Sequence, residues 1–352
     1  MGTPTLSDVA RAAGVSYATA DRVVNSRGNV AAKSIEKVNA AVAALGYVRN
    51  VAAANLSKRR IYRFVFLLPA GPNAFFARMR AHLSLMADHL AQDNIRAEVQ
   101  EIAAFSASGL EQALRDLHGT DCDGIAAVGL HSRDLEPALA ALRDQGTQIV
   151  GLVSDLPRDH RAAYIGIDNV MAGRTAARLL GMAHGGNPGR VQVLAGSLDA
   201  GDHADRFAGF SEVIARDFPA IEILPLIETR DQASKVHDAA MLATRLAATA
   251  IYNVGAGNSG LIRALSERPG DGRCICIIHE LVDHSRRALE AGLIDLIIDQ
   301  RPDVEINRAL TLLRALCDGR PLPPMPELVP TIYVRDNLPG QDMTSFFEGQ
   351  AQ

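Results

Sequence analysis

From Ile61 onward the chain alternates apolar runs of strand length with amphipathic stretches of helical period, and few folds accept that alternation. The strand candidates are Phe64–Leu68, Ala97–Ile102, Gly124–Val128, Gln148–Val153, Ala163–Ile167, Arg190–Leu194, Ile221–Pro225, Ala250–Asn253, Cys274–Ile278, Leu293–Ile298 and Thr331–Val334. Between most of them lie helical stretches such as Met79–Gln92, Gly109–Leu117, Leu135–Arg143, Ala172–Met182, Gly209–Arg216 and Asp283–Ala291. Repeated β-then-α units build parallel sheets covered by helices. These strands are too many for one compact sheet, and two lobes divide them naturally. Ligands of such sheets bind at the C-terminal ends of strands, so facing strand ends would line a cleft.

The first sixty residues differ. They hold nine Lys/Arg against three acids, a surplus of six, while the remainder carries ten more acids than bases. A basic head on an acidic body suggests that the head alone meets a polyanion; a solvated basic face is the plainer alternative. Thr5-Leu-Ser-Asp8 reads as a capping box with Asp in place of Glu. Val9, Ala10 and Ala13 face inward on the helix that follows, and Gly14 supplies a tight turn. Ser16 caps a second helix, roughly Tyr17 to Asn25, with Ala20, Val23 and Val24 toward the core. Tyr17, Ala18, Asp21 and Arg22 lie outward or at its edges. A third helix runs from about Lys33 to Leu45, carrying Ile35, Val38, Val42 and Leu45 at helical spacing, and Gly46 ends it. Three short helices around a glycine turn form a DNA-reading head whose second helix enters the major groove.

Thr5-Leu-Ser-Asp-Val-Ala10, Ala13-Gly-Val-Ser16, Thr19, Arg22-Val23, Asn25, Val30 and Leu45-Gly-Tyr47 together resemble the head of the lactose-repressor (LacI/GalR) family. The resemblance implies base contacts from Tyr17 and Ala18 and phosphate or base contacts from Ser16, Thr19 and Arg22. It also implies a DNA-facing role for Thr5, Asn25, Asn50 and Ala53, and a homodimer on pseudo-palindromic operator DNA. Residues 50–57 resemble the family's hinge helix, and Leu56 matches its apolar wedge for the minor groove. So short a helix is marginal alone, which suits a switch; a plain linker is the alternative. Two departures stand out. Ala20-Asp21 replaces the family's usual Val-Ser, leaving Asp21 either to accept from a cytosine amine or to pair with Arg22 or Arg11. Arg49 stands where the family usually has Pro.

The resemblance extends over the body to about Asp336. That region looks like the periplasmic sugar-binding fold, especially its ribose-binding branch. Asn73-Ala-Phe-Phe76 follows the first strand, as the branch's Asn-Pro-Phe-Phe does, so Phe75 and Phe76 would stack on a sugar ring and Asn73 would bond a hydroxyl. Asp155 would accept from vicinal hydroxyls. Arg206, in a match to Arg-x-x-Gly-Phe, would donate to the ligand. Glu280 stands where the branch has an acceptor carboxylate, and Gln300 matches a binding glutamine. Asn253 and Asn258 are weaker candidates. Each has a plain reading beside it: Phe75 and Phe76 as core, Arg206 paired with Asp202 or Asp205, Glu280 capping the next helix.

The expected fold class is therefore α/β: an N-terminal all-α helix-turn-helix head and a two-lobed, periplasmic-binding-protein-like (type I) body with parallel sheets. The head takes 1–49, a hinge helix and linker 50–60, the effector-binding body 61–337 and a tail 338–352. One lobe is expected at about 61–165 and 296–328, the other at about 168–293 and 330–337. The expected function is a sequence-specific transcriptional regulator, most simply a repressor of a carbohydrate-uptake or catabolic operon. A small sugar, polyol or sugar acid between the lobes would control it.

Other classes are weighed against this. Gly255-Ala-Gly257-Asn-Ser-Gly260 follows a strand and precedes a helix, and read alone it implies an NAD-type oxidoreductase. That motif normally opens its nucleotide-binding unit, whereas here little sheet-forming sequence remains after it, and no catalytic His/Asp or Ser/His/Asp set accompanies it. A ligand-binding protein without DNA contact is opposed by the density of head motifs. No enzyme activity and no cofactor are expected. Cys274 and Cys276 share a strand face without further ligands at metal-site spacing, so free thiols are expected and no metal. Charge, Gly or Pro interrupts every apolar run, so no membrane span is expected. The N-terminus lacks an export signal, which implies a cytoplasmic protein. The tail has no leucine heptad to support a coiled-coil tetramer.

Overall fold

The computed structural model describes residues 4–24, 28–47, 60–268 and 274–340. The chain divides into two units near residue 60.

In the head, α1 (Leu6–Ala13) starts at a complete capping box. Thr5 Oγ1 accepts from the Asp8 N–H, and Asp8 Oδ2 accepts from the Thr5 N–H at 2.9 Å. Gly14 ends the helix at φ +64°, a conformation that an L side chain resists. Ser16 caps α2 (Tyr17–Val24) by accepting from the Thr19 N–H at 3.1 Å. Helix α3 (Ala32–Leu45) closes the set, again ending at a left-handed glycine, Gly46. Val9, Ala10, Ala13, Ala20, Val38 and Ala41 are the buried core.

The body contains two sheets. The first has five parallel strands in the order β2-β1-β3-β4-β5: β1 (Tyr62–Pro69), β2 (Ile95–Ile102), β3 (Gly124–Ala127), β4 (Gln148–Leu152) and β5 (Ala163–Ile165). Its outer face packs on α6 (Ala107–Leu117) and α7 (Glu136–Asp144) through Leu110, Leu114, Leu139 and Leu142. Its inner face meets α4 (Ala74–Leu85), which α5 (Ala87–Gln92) follows. Burial on both faces explains the unbroken apolar run Phe64–Leu68.

The second sheet is entered through α8 (Asn169–His184), β6 (Gly189–Ala195) and α9 (Gly201–Asp217). There follow β7 (Ile221–Ile223), β8 (Ile227–Glu228), α10 (Ala233–Arg245), β9 (Ala250–Asn253), α11 (Asn258–Ser266), β10 (Ile275–His279), α12 (Asp283–Glu290) and β11 (Leu296–Asp299). The strand order is β12-β11-β10-β9-β6-β7, with β8 also on β6 and with β12 (Thr331–Tyr333) antiparallel. Helix α13 (Pro302–Cys317) returns to cover the first sheet. Three connections therefore join the lobes: 166–168, 300–301 and 318–330.

Three expectations shift, and one strand was not expected. The strand 296–299 belongs to the second lobe, because Leu296–Ile298 pair with Ile277–His279; the return to the first lobe falls at 300 rather than 296. Helix α4 begins at Ala74 rather than Met79, since the Asn73 side chain caps it by accepting from the Phe75 N–H. Helix α9 begins at Gly201 rather than Gly209, which places Arg206 inside it. The short strand β8 has too few residues for a periodic signal.

Candidate functional site

Loops at the C-terminal ends of strands in both sheets enclose a cavity of about 270 Å³. It lies where the topology predicts, because loops after β1 and β3 diverge at the point where strand order reverses. Backbone strain marks the same place. Of the non-glycine residues with positive φ among the described residues, Phe105 (+53°), Val153 (+63°), Arg230 (+51°), Asp231 (+57°) and Glu280 (+75°) all line this cavity. Such conformations cost on the order of 1–3 kcal/mol each and collect at functional sites.

Asn73, Phe75, Phe76, Arg206, Glu280 and Gln300 all line the cavity. Phe75 and Phe76 meet edge to face at 5.2 Å and belong to the buried core while also lining the cavity. Asn73 spends its amide on the protein: Oδ1 caps α4, and Nδ2 donates to Asp231 of the other lobe at 3.3 Å. Arg206 is fully buried. Its Nε donates to Asn169 Oδ1 at 2.9 Å and its Nη1 to the Val254 carbonyl at 2.8 Å, while Nη2 has no hydrogen-bond partner. Asp202 stands 4.0 Å from Nη2, and Asp205 is exposed. Gln300 Nε2 donates to Glu280 Oε1 at 2.5 Å, leaving Glu280 Oε2 and Gln300 Oε1 without partners. Glu280 therefore does not cap the next helix, where Ser285 serves instead. Burial, reinforced by the Asp299 charge, pushes the Glu280 carboxyl up to about 8.

Two expected site residues fall elsewhere. Asp155 turns away from the cavity: both its oxygens take Arg161, at 2.5 and 2.6 Å, and Oδ1 also accepts the Leu156 N–H. Val153 and Ser154 line the wall in its place. Asn253, at the end of β9, is buried beside the site, and its amide donates to the Ala256 carbonyl and to Asn258 Oδ1. Asn258 in turn donates to the His279 carbonyl, and both asparagines act as loop braces.

The cavity also uses residues that sequence reading passed over. Phe105 reaches across to the second lobe, where a Cβ on Gly196 would come within 2.6 Å of its ring. Arg230 lies 5.8 Å over that ring and donates to the Phe105 carbonyl at 3.3 Å. His203 packs on the same ring at 5.8 Å. Asp231, its pKa raised by burial and held down in part by His203, accepts from the Ala256 N–H at 2.9 Å. Scanning every residue just past a strand end would have found Phe105. His203 would have required the correct start of α9.

A relay joins the walls. Tyr164 donates to the Val153 carbonyl at 2.7 Å, Asn169 Nδ2 donates to Tyr164 Oη at 3.2 Å, and Asn169 Oδ1 takes Arg206. Nearby on α13, Glu305 is fully buried with both carboxyl oxygens unpartnered, and burial drives its pKa well above the carboxylate range.

The glycine motif is explained by packing. A Cβ on Gly255 would meet Asp231 Oδ1 at 2.6 Å, Gly257 sits at φ +79°, and a Cβ on Gly260 would meet the Ala233 carbonyl at 1.8 Å, where α10 and α11 touch. Asp231 already accepts an N–H of this loop, so a carboxylate occupies the place of a pyrophosphate. Among the described residues no cluster of three or more His, Cys, Asp or Glu is arranged to hold a metal ion. Nor, among them, is any helix long and apolar enough to cross a membrane.

On the head, Ser16, Tyr17, Ala18 and Arg22 are exposed and Thr19 is half-buried, all on α2 or its cap. Tyr17 leaves 57% of its surface open, more than packing would explain for an aromatic side chain. Thr5 is committed to the α1 cap. Asn25, Asn50, Ala53 and Leu56 lie outside the described residues, as does the expected hinge helix.

Comparison with known proteins agrees with this architecture. Residues 5–50 match the family of bacterial regulatory proteins, lacI family, and residues 64–321 match the periplasmic binding protein domain. The transcriptional regulator DegA of Bacillus subtilis (strain 168) is 28% identical over 259 residues, covering 70% of this chain and 72% of that one. The regulator CelR of Thermobifida fusca is 30% identical over 217 residues, covering 60% and 61%. Among solved structures, an ABC transporter solute binding protein from Burkholderia graminis in complex with D-arabinose superposes with a TM-score of 0.71. The two are 24% identical, over 79% of this chain and 96% of that one. With a lacI-type head and a periplasmic-binding-protein body in one polypeptide, the chain belongs to the LacI family of bacterial regulatory proteins.

Proposed function

We propose that this LacI-family DNA-binding transcriptional regulator acts in the cytoplasm as a homodimer on a pseudo-palindromic operator. A small sugar-like effector, held between the lobes, controls it. The observation that carries the effector reading is the enclosed cavity whose wall residues Ser154, Arg206, Glu280 and Gln300 each keep a buried polar atom without a partner. A buried unsatisfied group costs about 1–3 kcal/mol, so a ligand that satisfies several of them favours the closed cleft. The relative DegA is named a transcriptional regulator, and the solved neighbour holds D-arabinose, both of which agree with this reading.

Tyr17, Ala18, Ser16, Thr19 and Arg22 are assigned to the operator, with Arg22 supplying salt-dependent phosphate affinity. Asn25, Asn50, Ala53 and Leu56 are assigned to the same interface, Leu56 as the minor-groove wedge. Effector closure turns one lobe against the other and biases the hinge; a coupling of about 1–3 kcal/mol per site is enough to switch binding. A thermal-shift screen of the full chain against pentoses, hexoses, polyols and sugar acids tests the cleft. A ligand at a hundred times its dissociation constant adds about 2.7 kcal/mol to stability. Gel shift with the gene's own upstream palindrome tests the head. Leu56→Ala is expected to weaken operator binding while effector affinity stays as it was; unchanged operator affinity would remove Leu56 from the interface.

A further inference from the structure

The two walls of the cavity are chemically unlike. On the second lobe, Arg206, Glu280 and Gln300 each keep a polar atom without a hydrogen-bond partner, that of Arg206 lying 4.0 Å from Asp202. On the first lobe the wall is Ile102, Phe105, Val128, Leu130 and Val153. Asn73 there is already engaged through both ends of its amide, so the Ser154 hydroxyl is the one side-chain group of that wall with an unpartnered polar atom.

Val153 is the telling residue. It is β-branched and sits at φ +63°, where a β-branched side chain is an outlier. Three hydrogen bonds hold it there: its N–H to the Ile165 carbonyl, its carbonyl from Tyr164, and the Ser154 N–H back to the Leu152 carbonyl in a strained γ-turn. The strained backbone thus holds an apolar side chain in the wall where a ligand would touch it. The volume, less than twice the ~150 Å³ that admits one benzene, allows a single substituted ring.

We propose that the effector is a deoxysugar: a single ring whose hydroxyls along one edge meet Arg206, Glu280 and Gln300, and whose opposite edge lacks a hydroxyl and rests on Val153 and Val128. This rests on the reading of the cleft as the effector site. A fully hydroxylated hexose would press a hydroxyl against the Val153 and Val128 side chains, which cannot receive it, and a buried unpaired hydroxyl lowers affinity by about tenfold or more.

The test is calorimetric titration of the full-length protein with sugar pairs that differ by one hydroxyl, D-fucose with D-galactose and L-rhamnose with L-mannose. Val153→Asn and Arg206→Ala are titrated in parallel. The wild type is expected to bind one deoxysugar at least about tenfold more tightly than its hydroxylated partner. Val153→Asn, which accepts the same backbone conformation, is expected to erase or reverse that preference. Equal or tighter binding of the hydroxylated partner by the wild type overturns the proposal, as does binding of neither pair. If such a sugar is lost on Arg206→Ala, the cleft reading survives the failure of the deoxysugar; if it binds Arg206→Ala as well as wild type, the cleft reading falls too.

Discussion

The two walls of the cleft divide the work of recognition. The second-lobe wall is polar, buried and hydrogen-bonded: Arg206 is fixed by Asn169 and the Val254 carbonyl, Glu280 and Gln300 by each other, and each keeps one polar atom without a hydrogen-bond partner. The first-lobe wall is mostly apolar; positive φ is common to both walls, at Phe105 and Val153 on this one and at Arg230, Asp231 and Glu280 on the other. Groups pre-set by their own hydrogen bonds bind a ligand without further ordering cost. An apolar wall gives little direction of its own, and its gain comes with closure, when water leaves. Under the proposed effector reading, the contrast assigns the directional contacts to the second lobe and the gain on closure to the first.

The strongest way to break this contrast is Arg206→Ala. If the second lobe holds the ligand, effector affinity falls roughly a hundredfold, as expected for lost charge-assisted hydrogen bonds. The ligand-free protein also melts lower, because Asn169 and the Val254 carbonyl lose their donor. Titration calorimetry beside a thermal melt reads both, and a loss of melting temperature with affinity intact would reduce Arg206 to a brace.

Glu280→Gln sharpens the same contrast through pH. Burial raises the Glu280 carboxyl to about 8 in the folded chain, against about 4.5 when unfolded. Between those values the folded state keeps a proton that the unfolded state releases. Stability from this group is thus complete below pH 4.5 and lost as pH rises toward 8, by at most about 1.4 kcal/mol per pH unit. The ligand-free Gln variant is expected to match wild type near pH 4.5 and exceed it at pH 8. Asp299 and Glu305 are buried close enough to interact with the Glu280 charge, so the difference reports Glu280 together with its effect on these two carboxyls. Parallel melting curves across that range would show the carboxyl ionised throughout.

Tyr164→Phe probes the link between the walls with a smaller effect. It strips the Val153 carbonyl of its donor and Asn169 of an acceptor, a cost of about 1 kcal/mol. The effector's change in operator binding, in either direction, is expected to need a several-fold higher effector concentration, while operator affinity without effector is unchanged. An identical effector dose-response would exclude the relay from coupling.

Much of this was legible in the sequence. Alternating strand and helix patterns revealed two parallel-sheet lobes, because strands buried on both faces are written as apolar runs. Asn73, Phe75, Phe76, Glu280 and Gln300 were legible as cavity-lining positions because they stand just past strand ends, and Arg206 through its match to Arg-x-x-Gly-Phe inside α9. Asp155 misled for a reason invisible in residue order: the γ-turn at Val153 swings the next residues about, so the carboxylate two positions on faces Arg161 instead of the cavity. Asn253 misled because a strand-end amide serves a neighbouring loop as readily as a ligand. Arg230 and Asp231 gave no signal, since loop positions carry no period and positive φ in a non-glycine residue is set by tertiary packing.

Among the described residues of the head, the six buried hydrophobic side chains are four alanines and two valines. A core of that size rarely furnishes more than about 3–5 kcal/mol. Each body sheet, by contrast, is sandwiched between layers of leucine, isoleucine and phenylalanine. On warming, this protein is therefore expected to lose its gene-reading end well before its chemical sense, keeping the ability to detect a metabolite at temperatures where it has already forgotten how to act on it.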